Sequence, residues 1–157
     1  MITPEVIESI QQSVLCWLAT VSISGDPNVS PKEAFLYQDG HIIIAHVASP
    51  QSVTNIESSA SVCLSFIDIF TQRGFKIHGL AEMISPEDDR FGQVAPPLAN
   101  MVGDDHEILA VISVKPTSVE PVIAPSYNIH PETTLEDMIR QSLDTYRVAD
   151  YQKRVET

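Results

Sequence analysis

Basic side chains are scarce in this chain. Of its 157 residues only nine are Lys or Arg, against 21 Asp or Glu, for a formal net charge of −12. A surface of that sign repels nucleic-acid backbones and anionic lipid headgroups, so neither is an expected partner. Cysteine is almost absent too. Cys16 and Cys63 lie in separate apolar runs with no CxxC pairing, which argues against a zinc site or a disulfide framework and for two buried free thiols in a reducing compartment. No apolar stretch approaches the ~20 residues that span a bilayer, and the N-terminus lacks a basic segment leading into an apolar one. The expected location is cytoplasmic. Also missing are GxSxG, the P-loop and GxGxxG. The histidines at 41, 46, 78, 106 and 130 show no metal-ligand spacing. No nucleophile stands beside a base, so no catalytic residue can be assigned. One corollary follows from the charge: a phosphorylated ligand must be held by local donors, because the overall field opposes an anion.

What is present reads as one globular domain over residues 1–157, with 43% apolar and 19% charged residues and no repeat, linker or low-complexity tract. Thr3 and Pro4 open a short helix, with Val6, Ile7, Ile10 and Val14 on one face. Leu15 to Ile23 alternates as a strand whose Leu15-Trp17-Ala19-Val21-Ile23 face is wholly apolar. Ser24-Gly25-Asp26-Pro27 turns the chain into a hairpin partner over Asn28 to Tyr37, where Pro31 demands an edge position or a bulge. A turn at Gln38-Asp39-Gly40 leads to a buried strand, His41 to Val47, and Ser49-Pro50 starts a helix through Ser58. Ser61 to Asp68, Phe75 to Ile84, and Ile108 to Val114 with an extension to Ile123 complete the strands. Between the last two, Ser85-Pro86-Glu87-Asp88 opens a helical excursion interrupted at Pro96-Pro97, a lid or a dimer contact across residues 87–105. Thr133 and Glu136 form a capping box for a closing helix with Leu135, Met138, Ile139, Leu143 and Tyr146 along one face. Consecutive hairpins without βαβ alternation predict an all-β fold with flanking helices, a six-stranded antiparallel barrel.

Two places can carry chemistry. Ala48 to Asn55 brings hydroxyls and free backbone N–H groups to a helix start directly after a buried strand, a setting that suits phosphate. Ser52 and Asn55 share a helical face. Ser49 is equally readable as a plain helix cap. Lys32, beside Pro31, is either a solubilising edge charge or an ammonium aimed into a cleft. Arg73 and Lys76 supply most of the remaining central positive charge.

Together these segments resemble a known family. Leu18 to Ser22, the Gly25-Asp26-Pro27 turn and Asn28 to Lys32 are similar to the opening hairpin of pyridoxamine 5′-phosphate oxidase-like flavoproteins. Ser49 to Ile56 resembles their phosphate-binding turn, and Arg73 to Glu82 their central glycine-bearing strand. The resemblance covers about the first half of the chain. It implies a split barrel, a homodimer and FMN at the dimer interface. Carried over by position, Ser30, Pro31 and Lys32 contact the flavin ring, Val47, Ala48 and Ser49 lie along the ring and ribityl chain, Gln51, Ser52 and Asn55 lie near the phosphate, and Lys76 approaches from its strand. Many relatives have a basic residue where this chain has Gln51. A neutral donor there implies weaker FMN binding, with Arg73 or Lys76 as substitutes. The function so implied is an FMN-dependent oxidoreductase with unassigned substrate. The alternative is a non-catalytic module for flavin, haem or another planar cofactor.

Overall fold

A computed structural model describes residues 2–103 and 106–155. Asp105, the end of the predicted helical excursion, lies outside the described residues. The chain runs α1 (Pro4–Gln12), β1 (Cys16–Val21), β2 (Pro27–Lys32), β3 (Phe35–Gln38), β4 (His41–His46), α2 (Pro50–Ser58), β5 (Ser61–Asp68), β6 (Arg73–Ile84), α3 (Phe91–Val102), β7 (Ala110–Ile123), α4 (Ser126–Ile129), α5 (Leu135–Thr145) and α6 (Val148–Val155). The strands form one antiparallel sheet in the order β2-β1-β5-β6-β7-β4-β3.

This is the predicted split-barrel class with seven strands in place of six. The expected strand from Asn28 to Tyr37 is divided at Glu33-Ala34, and its halves lie on opposite edges of the sheet. Three Cα steps separate Lys32 from Phe35, at most about 11 Å. Two edges joined by so short a link must approach each other, so the sheet has to curl. Pro31 sits on an edge strand, and the register with β1 runs unshifted through it, Trp17 facing Pro31. Its missing N–H therefore costs no interior ladder bond. The β3–β4 hairpin closes through Asp39 and Gly40, with φ of 50° and 84°, the two positive values a tight two-residue hairpin needs.

The barrel interior is filled by Cys16, Leu18, Phe35, Ile42, Ile44, Val62, Leu64, Phe66, Ile77 and Ile112, joined by Val6 and Ile10 of α1 and Ile56 of α2. A second apolar cluster packs Ala95 and Leu98 of α3 against Ala34, Ile43, Ala45, Ile84 and Val111. That packing explains why α3 runs through Pro96 and Pro97 instead of breaking there: both prolines are exposed, while the residues flanking the pair are buried. The ring closure forfeits hydrogen bonds that tertiary burial replaces.

Other expectations shift in detail. Thr3 caps α1, accepting from the Val6 amide at 3.4 Å, but Val14 lies beyond the helix and is 83% exposed. The wholly apolar face of β1 points outward, with Trp17 45% exposed, while Cys16, Leu18 and Thr20 face the core. The capping box of α5 uses Thr134 and Asp137, one residue later than Thr133 and Glu136. Its buried face is Met138 and Ser142; Leu135, Ile139, Leu143 and Tyr146 remain exposed. Cys16 is buried as expected, and Cys63 only partly so. No helix among the described residues is long and apolar enough to cross a membrane.

Gly74 on the central strand β6 faces Ile67 on one side and Val122 on the other. A Cβ there would collide with the Phe66 carbonyl and come within 2.8 Å of the Ile67 Cα. Backbone cannot yield as a side chain can, so Gly74→Ala should cost about 1–3 kcal/mol in urea unfolding. Gly92, with nothing near a built Cβ, should gain about 0.4–1 kcal/mol as alanine. Equal effects at both sites would contradict this packing.

Candidate functional site

The inward faces of β1 and β2 define the site. In register, Cys16 lies opposite Lys32, Leu18 opposite Ser30, and Thr20 opposite Asn28. One face of α2 meets that row. Asn55 Nδ2 donates to Thr20 Oγ1 at 2.9 Å, and Asn28 Nδ2 reaches both Thr20 Oγ1 at 3.1 Å and Ser52 Oγ at 3.4 Å. One turn toward the helix start, Lys32 Nζ donates to Ser49 Oγ at 2.6 Å, and the Ser30 and Ser49 hydroxyls are 3.2 Å apart. Seven polar or charged residues are buried among the described residues, and five of them belong here: Thr20, Lys32, His46, Ser52 and Asn55. Buried polar groups concentrated in this way must satisfy one another or a ligand.

The predicted residues separate into groups. Ser30, Lys32 and Ser49 come together at the seam's mouth, where Pro31 and Ala48 are exposed. Ser52 and Asn55 share a face as expected, but each is 1% exposed and already bonded. They brace the corner from behind. Gln51 is exposed and donates from Nε2 to Asn55 Oδ1 at 2.8 Å. Val47 packs toward α3 instead of toward the seam. Lys76 is not brought in: it points outward from β6 and pairs with Glu120 at 2.8 Å. Arg73 is also elsewhere, its guanidinium 5.7 Å from the Tyr127 ring. His78, on the outer face, lies 3.6 Å from Glu120.

Ser49 does not cap α2. Its side chain makes no capping bond and is turned to Lys32 instead, while Pro50 occupies the first helical turn. Lys32 is 5% exposed. It has no carboxylate partner among the described residues. Burial therefore pushes its pKa down, and the nearby Cys16 thiol, itself pushed up to about 12 by burial, offers no compensating anion at neutral pH. The edge-charge reading of Lys32 is thus set aside by its burial. Thr20, Asn28 and His46 went unsuspected in the sequence. The first two stand at alternating strand positions, as any solvent-facing residue does, and only the register with α2 turns them inward.

A separate recess of about 980 Å³, lined by residues including Trp17, Ile67, Phe70, Arg73, Phe75 and Leu135, contains none of the seam residues. The chemistry lies at the seam. It provides one buried cation, hydroxyls, the His46 imidazole and a helix start, and so it can bind and orient an anionic ligand.

A curled antiparallel barrel with flanking helices is the split-barrel architecture. Residues 2–127 match the sequence profile of the pyridoxamine 5′-phosphate oxidase family, and the chain belongs to that family. No curated protein matches it. Among solved structures, HupZ of Group A Streptococcus is 25% identical, covering 76% of this chain and 92% of that one with a TM-score of 0.64. An FMN-binding protein from Syntrophomonas wolfei is 15% identical, covering 76% and 88% with a TM-score of 0.65. HutZ, the haem storage protein from Vibrio cholerae, is 19% identical, covering 76% and 92% with a TM-score of 0.63.

Two outcomes check the site. Asn55→Ala removes the donor to Thr20 and the acceptor of Gln51 and should cost about 1–3 kcal/mol, whereas Glu57→Ala, exposed on the same helix, should stay within about 0.5 kcal/mol. Lys32 works against the fold. Its folded pKa lies below the unfolded one, so the cost is present in full below the folded pKa and is relieved as pH rises through it toward the unfolded value. Lys32→Met should therefore raise stability at pH 7, by about 1 kcal/mol or more, with the gain shrinking in alkali. A destabilised mutant would mean that the ammonium has an anionic partner in the free protein.

Proposed function

We propose that this chain is an FMN-dependent oxidoreductase of the pyridoxamine 5′-phosphate oxidase-like type, working as a homodimer with the cofactor between protomers. The observation that carries the reading is Lys32, a buried ammonium without a counter-ion among the described residues, 2.6 Å from Ser49 at the start of α2. A buried cation is costly alone and stable beside an anion. FMN fits this donor set. The Ser49 hydroxyl, the Gln51 side-chain amide and the Gln51 backbone N–H offer neutral donors to a phosphate, whereas Pro50 has no N–H and the Ser52 and Val53 N–H groups are bonded to the Ser49 carbonyl. Ser30, Pro31 and Ala48 give a wall on which a ring can lie, and Lys32 supplies the one full charge. Ser52 and Asn55 hold the corner in place. When bound, FMN supplies the two-electron redox chemistry, and the protein's part is to position it and tune its charge.

The dimer draws support from the outward face beside the site. Trp17 and Val29 are exposed apolar residues on adjacent strands, with Ile67 and Ile69 farther along β5 and its turn. A contiguous apolar surface of this kind favours burial against a second copy. The rival function, a module that holds haem or another planar cofactor without turnover, draws on the likeness to a haem storage protein.

An absorption spectrum of the purified protein separates the two readings: flavin bands reducible by a nicotinamide donor support the enzyme, and a Soret band supports the rival. FMN titration should find Lys32→Met weaker by about tenfold, the loss of one charge-assisted contact. Gln51→Lys should be tighter by about 1 kcal/mol. Lys32→Met should also lower the bound flavin's reduction potential by about 20 mV, since even a quarter of one charge's interaction at ~4 Å suffices. FMN affinity and potential that are indifferent to Lys32 would sink the assignment.

A further inference from the structure

His46 ends β4 three residues before Ser49, on the inward face that also carries Ile42 and Ile44. It is 9% exposed, and its Nδ1 is the one buried side-chain nitrogen or oxygen without a hydrogen-bond partner among the described residues. Natural proteins seldom leave such an atom unpaired unless a ligand or water completes it. Its charged neighbour is Lys32 of β2. The Ala45 N–H donates to the Ala34 carbonyl at 2.9 Å, tying the end of β4 to the segment just after Lys32, and Lys32 itself has the neutral thiol of Cys16 beside it from β1 and the hydroxyl of Ser49 from α2. A buried ammonium and a buried imidazole thus lie close together, with no carboxylate paired to either among the described residues. We infer that His46 is the second base of the anion site and takes up a proton when an anion binds beside Lys32. The inference rests on the anion-site reading above and adds to it a proton-coupled residue.

The sign follows from the surroundings. In the free protein, burial and then the Lys32 ammonium hold the imidazole below its ordinary pKa, so it is neutral at pH 7. An anion at Lys32 cancels the second cause and adds an attraction of its own, and the imidazole pKa rises. Between the two values, binding draws in a proton. By linkage, anion affinity then grows as pH falls through the bound-state pKa and levels off below the free-state one.

The test follows the His46 ring signals by NMR from pH 5 to 8, in the free protein, with sulfate, and with FMN. Sulfate does not titrate in this range, so any movement belongs to the protein. The expected result is an upward shift of the His46 midpoint by about one pH unit with either ligand. Lys32→Met should raise the midpoint in the free protein and erase the ligand's effect. His46→Gln should remove the corresponding part of the pH dependence of FMN affinity. A midpoint unmoved by sulfate and by saturating FMN overturns the inference while leaving the FMN reading intact. If FMN does not bind but sulfate moves the midpoint, the FMN reading falls and the proton coupling stands.

Discussion

The buried hydrogen bonds among Thr20, Asn28, Ser52 and Asn55 set the geometry on which the site depends. Each amide or hydroxyl is costly to bury alone, and each finds its partner only when α2 lies at one height and one rotation on β1 and β2. An apolar seam would tolerate sliding; this one does not. With α2 so held, Ser49 arrives over Lys32, and the helix start faces outward beside Gln51. The corner is thereby held in place by residues buried behind it.

Placement of charge follows a related logic. A chain with net charge −12 cannot draw an anion by its overall field, so it keeps a cation away from its own carboxylates. Lys76, Arg90 and Arg140 are all neutralised by neighbouring acids at the surface. Lys32 is kept from them by burial, and burial in turn strengthens any contact it makes. The acidity of the whole and the basicity of the corner are compatible because the barrel wall separates them.

Much of this was legible in the sequence. Turn chemistry at Gly25 and at Asp39-Gly40, alternation along the strands and Pro50 after Ser49 were enough for the hairpins and the α2 helix, because those signals are local, while the Ser30–Lys32–Ser49 grouping came from the family resemblance. What escaped was long-range. Alternation says that one face of β1 is apolar but not that this face looks outward, since a partner surface and a core read alike. A single run from Asn28 to Tyr37 gives no sign that its halves serve opposite edges. The capping box slipped by one because Thr133 and Thr134 both offer a hydroxyl, and spacing alone does not choose between them. His46 looked like the end of an apolar strand until Lys32 was placed beside it.

The strand order also fixes when the fold can be completed. β1–β2 and β3–β4 are local hairpins, and β5–β6 is another, so each can form soon after its residues are made. The sheet joins them through β7, the last strand, which lies between β6 and β4 and pairs with residues up to about 70 positions earlier in the chain. Until residues 110–123 have left the ribosome, the inner edges of β4 and β6 present unpaired backbone. Both strands carry buried isoleucines, three in β4 and two in β6, so the unfinished chain is at its stickiest just before completion. A pause in synthesis within the stretch from β6 to β7 would prolong that state, whereas a pause beyond Ile123 would come after the barrel had its full set of strands.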